Sequence, residues 1–528
     1  MEPLLRAAKL PTKTGLERFE WPFTLPQILL PHLVIHSPLW KRKLEETLER
    51  LPCSFERPWR LVVYWDDVGI GSAVKADNKR NVAAIYASFL EFGTWLRDER
   101  SWMPLGVMRT TVHKKDVGTS ALIKYLVRAI FRRGSSLSAD GVDVGGTRIF
   151  ARVHRILMDE GAGKDTFCAK GSSGLRPCWQ CKNVVLNQED NLADHDPSGY
   201  FVKLSCCTPD KFDPQTSSEY IASYDNLASL KGSISNARWE KLQTASGITV
   251  DETSLMSDIP AREIAPPSTY TRDPMHVFLS SGGICGVEIY ALYTKAKTTM
   301  PDLWNEWLAS LGNLRTGRGN KKPPTYLFSH ARQLATLKNK HYVGDASECL
   351  MVMQFLRHWC EDILKPSGAA AAARESFQAM AALMDMYVKG KLYGASASLE
   401  AEWRCAWARA VRKHTLAHGE SLIKPKHHFA YHCASQPSLD GIWLDTYCLE
   451  RTGGRRTWGR LETFAEFPYV ILPISMGSVF LMVAVKTGSE HALTLGALLE
   501  EAHITQIARR FNRQRGCVRA QRSRQPSC

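Results

Sequence analysis

The chain has 528 residues, 44% of them hydrophobic, and its 68 Lys and Arg against 53 Asp and Glu leave a formal net charge of +15. Such a length supports about three globular domains, or one large domain with an insertion, around an ample core. Fourteen cysteines without framework spacing exclude a secreted disulfide scaffold and imply a reducing compartment, and MEPLLRAAKLPTKTG at the N-terminus does not read as a secretory signal. The basic excess favours a polyanion, nucleic acid first.

In chain order, residues 1–58 read as a proline-punctuated lead-in with one amphipathic piece, WKRKLEETLERL (40–51). A β-rich block, 59–183, follows: RLVVYWDDVGI (60–70), AAIYASFLEF (83–92) and SWMPLGVMRTTV (101–112) predict three strands. GTSALIKYLVRAIFRRG (118–134) has apolar residues at helical spacing and ends in arginines and Gly134, which predicts a helix. TRIFARVHRILMDE (147–160) returns as a fourth strand. Three strands, a helix and a strand is the order of the ribonuclease H-like fold. The expected class is therefore α/β, a mixed five-stranded sheet with flanking helices, interrupted by a large, mainly helical insertion at 184–420.

That insertion is polar and turn-rich to about 265, then helical from 273 to 418, and the alanine run 369–373 reads as a helix start. A return segment, 421–466, contains KPKHHFAYH (424–432) and LDTYCLE (444–450). The last part, 467–528, opens with PYVILPISMGSVFLMVAV (468–485), which touches the lower length limit for a membrane span. Pro473 and Gly477 interrupt it, so a strand–turn–strand or a core helix is expected instead, and no membrane partner.

Two apolar strands end in carboxylates, at Asp66–Asp67 and at Asp159–Glu160, and Glu450 closes a third apolar segment. Phosphodiester cleavage and strand transfer need an activated oxygen nucleophile and a stabilised leaving oxyanion, which two Mg²⁺ or Mn²⁺ ions on shared carboxylates provide. The expected catalytic ligands are Asp66, Asp159 and Glu450. Side chains alternate along a strand, so only one of Asp66 and Asp67 faces the site; Asp66 is preferred and Asp67 is the alternative.

Cys178 and Cys181 in CWQC form half of a tetrahedral zinc site. His428 and His432, four apart on one helical face, are the expected other half; His427 with His432 is an alternative pair, and His195, Cys206 and Cys207 are local alternatives. Asp273 and His276 of DPMH open a helix, where Asp273 is either a cap or part of the site.

Five motifs in this order, YWDDVGIGS, LMDEGAGKD, CWQC, DPMH and DTYCLE, resemble the CACTA/Plavaka (Kyakuja–Dileera–Zisupton) type of DDE transposase over roughly residues 60–455. The resemblance implies a ribonuclease H-like core that cuts and joins double-stranded DNA in the nucleus with Mg²⁺ or Mn²⁺, stapled by structural zinc. A homo-oligomer and a separate DNA-recognition partner are both left open, the latter because no DNA-binding finger precedes the core. After Glu450, RTGGRR places paired glycines where that family continues with a basic helix. The competing readings are a catalytically inactive transposon-derived DNA-binding or chromatin protein and a non-transposing nuclease on the same core. DNA contacts are expected from the basic stretches 315–324, 451–460 and 509–524.

Overall fold

The computed structural model describes residues 6–11, 18–68, 82–113, 117–187, 192–311, 323–394, 396, 398–446, 469–476 and 479–486. The chain divides into two units, Met1–Leu461 with Leu472–Met482, and Glu462–Ile471 with Val483–Cys528. The sites below lie in the first unit.

Seven strands form one mixed sheet: β1 (Arg6–Pro11), β2 (Arg18–Phe23), β3 (Trp59–Val68), β4 (Val82–Phe89), β5 (Met103–Arg109), β6 (Ala151–Met158) and β7 (Tyr270–Arg272). Their order is β1-β2-β5-β4-β3-β6-β7. β4 runs antiparallel to both β3 and β5, whereas β6 runs parallel to β3 and β7 parallel to β6. Strand β3 lies inside the sheet, so Leu61 to Trp65 form an unbroken buried run rather than an alternating one. Helix α3 (Thr119–Ile130) follows β5 and buries Leu122, Ile123, Leu126, Val127 and Ile130 in the same core.

The expectation of five strands is corrected to seven, because the lead-in supplies β1 and β2. Prolines hid them: Pro11 ends the edge strand β1, and Pro22 lies within β2 at a position that makes no pair with β5. Strand β2 docks on β5 where Phe23 pairs with Gly106. A Cβ on Gly106 would come within 2.6 Å of the Trp21 ring, so this glycine admits the tryptophan. Helices α1 (Pro26–His36) and α2 (Pro38–Arg50) complete the lead-in. The stretch expected as a single fourth strand also divides: Thr147–Ile149 pairs with Val142–Val144, and only Ala151–Met158 joins the main sheet.

Helix α4 (Glu160–Thr166) follows β6, and α5 (Pro274–Phe278) follows β7. The helical part then runs through α6 (Ile284–Ala296), Leu303–Leu311, Ala346–Trp359, α7 (Ala371–Tyr393), α8 (Leu399–His418) and α9 (Pro425–His432). It builds a second hydrophobic core around Trp307, Trp403 and Trp407. Cys178 and Cys181 belong to this second core, while Trp179 between them packs into the first, so the CWQC turn bridges the two. Tyr469–Met476 and Val479–Lys486 form their own two-stranded sheet, as the strand–turn–strand reading of that apolar run expects. No helix among the described residues is long and apolar enough to cross a membrane.

Candidate active site and metal centre

Strand register gathers three aspartates. Trp65 pairs with Met158 and Met158 with Arg272, so the next residue on each of three adjacent parallel strands is Asp66, Asp159 and Asp273. Asp66 accepts from the Tyr64 hydroxyl at 2.6 Å, a contact between residues two apart on one strand face. Asp67 sits on the other face, where Thr110 Oγ1 donates to it at 3.3 Å. Asp159 caps α4 by accepting from the Ala162 N–H at 2.7 Å, and Asp273 caps α5 by accepting from the Met275 N–H at 2.9 Å. Asp273 also contacts His276 Nδ1 and the Thr446 hydroxyl, each at 2.5 Å.

The row is short of positive charge. Burial pushes the Asp66 carboxyl up to about 6; His276 and the Tyr64 hydroxyl oppose the rise, and neighbouring Asp159 and Asp273 add to it. Burial would raise Asp273 as well, but His276 and three hydrogen bonds hold it below its ordinary value. Glu160 is raised by burial despite Arg272 and Lys426 nearby. Lys426 of α9 donates to His276 O at 2.9 Å and Ser280 Oγ at 3.0 Å, and its charge acts on Glu160, Asp159 and Asp273. It is the acid row's lysine from the helical part, and sequence reading singled out only its histidine neighbours. The row is looser than a closed metal cage: it is not among the described groups of three or more ligands whose atoms lie within 4.8 Å of one another. Glu450 lies outside the described residues.

Such a closed group exists at Cys178, Cys181, His428 and His432, whose ligand atoms all lie within 4.8 Å of one another. His432 Nε2 is 3.3 Å from Cys178 Sγ, 3.4 Å from Cys181 Sγ and 3.1 Å from His428 Nε2. Burial pushes His432 down to about 4, so its ring is neutral and has a lone pair to offer. Burial works against a thiolate at Cys178, yet Cys181, His432 and Arg272 hold that thiol below its ordinary value. Arg272 is buried with its guanidinium 3.6 Å from the Phe429 ring centre, and Nη2 lies 3.5 Å from Cys178 Sγ. The Trp403 and Trp407 indoles donate to Ala430 O at 2.8 Å and His427 O at 2.6 Å, fixing α9 against α8.

Of the alternatives, His427 turns away from the cysteines, because consecutive helical residues point about 100° apart. His195, Cys206 and Cys207 are not members of the cysteine–histidine group. The chain matches no protein-family model and no curated protein.

Proposed function

We propose that this chain is a transposase-like enzyme that cleaves and joins DNA strands on a ribonuclease H-like core. The observation that carries the reading is the row Asp66, Asp159 and Asp273 at the same level of three adjacent parallel strands. The order β5-β4-β3-β6-β7, with α3 between β5 and β6, supports that core assignment. Neighbouring carboxylates, half-buried at Asp66 and Asp159 and buried at Asp273, fit Mg²⁺ or Mn²⁺, since a shared cation relieves the repulsion that adds to the rise at Asp66. Asp66 and Asp159 would hold the ions with Glu450, and Asp67 faces away. When bound, the ions activate a water or 3′-hydroxyl nucleophile and stabilise the leaving oxyanion.

Asp273 with His276 orders the floor of the site and ties it to Thr446, four residues before Glu450. The sulfur–nitrogen donor set at Cys178, Cys181, His428 and His432 fits zinc, which would clamp the return segment to the CWQC turn.

The test is incubation of the full chain with supercoiled plasmid and short duplexes in Mn²⁺ or Mg²⁺. Nicked and joined products are expected, and Asp66→Asn or Asp159→Asn should lower their rate by about two to three orders of magnitude. Nicking without joining would favour the non-transposing nuclease. Binding without either product would favour the inactive DNA-binding descendant. Full activity in both variants removes the assignment.

A further inference from the structure

A second buried polar group lies away from the acid row and the cysteines. Glu288 of α6, His414 of α8 and His427 of α9 are each completely buried, and one ligand atom from each lies within 4.8 Å of the others. Ser376 of α7 donates its hydroxyl to both Glu288 oxygens at 3.1 Å, and His414 Nδ1 lies 2.5 Å from Glu288 Oε1. Four helices, three of the insertion and α9 of the return segment, thus aim polar side chains at one point inside an apolar core.

The group is not satisfied by its own members. His414 Nε2 and His427 Nε2 are buried without a hydrogen-bond partner, and so are both ring nitrogens of His418, whose ring centre is 5.0 Å from that of His414. Buried polar atoms in folded proteins are almost always paired, so several orphaned nitrogens around one carboxylate call for an unseen partner.

We propose that Glu288, His414 and His427 hold a second transition-metal dication, separate from the cysteine–histidine ion and independent of any DNA chemistry. Two imidazoles and a carboxylate suit zinc or cobalt rather than magnesium, and complete burial makes the ion structural. At His427, Nδ1 now accepts from the Lys424 N–H at 3.0 Å. Coordination through Nε2 moves the ring proton to Nδ1, so the Lys424 N–H gives up this bond at its half-buried helix start. His418 stands beside the site as a further donor. The ion would join α6, α8 and α9 where the helical part closes on itself.

The experiment is metal analysis of the purified full chain loaded with Zn²⁺, with Co²⁺ as a spectroscopic substitute. About two ions per chain are expected, and about one each in Cys178→Ser and in His414→Gln, which lose different ions. In the Cys178→Ser, Cys181→Ser double variant, Co²⁺ should still give visible d–d bands without sulfur charge-transfer absorption. About one zinc in the wild-type chain, with none left after the cysteine substitutions, overturns the proposal and leaves water as the partner of the histidines. If His414→Gln does not fold, the wild-type stoichiometry and the cobalt spectrum of the cysteine variant decide alone.

Discussion

Asp66 is the residue whose protonation would most directly report on a bound cation. With its carboxyl pushed up to about 6 by burial and by Asp159 and Asp273, the cation-free folded chain keeps a proton there that the unfolded chain has already released. Folded-state stability therefore falls as pH rises from about 4 to about 6, and the full deficit persists above. Asp66→Asn removes the charge and nearly preserves the shape. In chelator, the variant should melt above the parent at pH 7.5 by roughly 1–3 °C, and the gap should close at pH 4. Added Mg²⁺ or Mn²⁺ should raise the parent's melting temperature and leave the variant's nearly unchanged. A variant that melts at the parent's temperature in chelator at both pH values would show that Asp66 is not held against its neighbours. The choice between Asp66 and Asp67 was left open by sequence because both occupy one strand end. Only the contacts to Tyr64 and Thr110 assign the two faces.

At the scale of elements, α4 is set by a close approach. A Cβ on Gly163 would lie 2.4 Å from the Tyr270 ring, so the helix capped by Asp159 lies directly on β7. Gly163→Ala must lift α4 or turn Tyr270, at about 1–3 kcal/mol. Urea unfolding should register that loss, and Tyr270→Leu in the same chain should recover part of it because the two positions share one contact. Equal, additive losses would mean the two side chains do not meet. This glycine was visible in the motif LMDEGAGKD, but its partner was not, since β7 has three residues and no apolar run to announce it. The strands from 59 to 158 were legible because each is a long apolar stretch. The cysteine and histidine spacing was legible because metal ligands recur at fixed short intervals. Glu288 and His414 had no such signal: each is a single polar residue within an otherwise ordinary helical pattern, and only the fold brings them to His427.

For the whole molecule, the formal net charge of +15 suits the polyanionic partner of the proposed function. Most of 315–324 and all of 451–460 and 509–524 lie outside the described residues. The last of these carries arginines and no acid, which suits phosphate backbones without sequence preference. Truncation after residue 505 should weaken binding to all long duplexes alike and make affinity less dependent on salt, measurable by anisotropy across a salt series. Unchanged affinity would place the binding surface elsewhere. The separation of ligands along the chain has a consequence in time. Cys178 meets His432 across 254 residues, and Glu288 meets His414 across 126. A ribosome adding about 5–20 residues per second finishes the three aspartate strands roughly ten to thirty seconds before α9 emerges. During translation, therefore, the strands that carry the acid row are complete before α9, and the cysteine–histidine and glutamate–histidine groups can assemble only once residue 432 has been added.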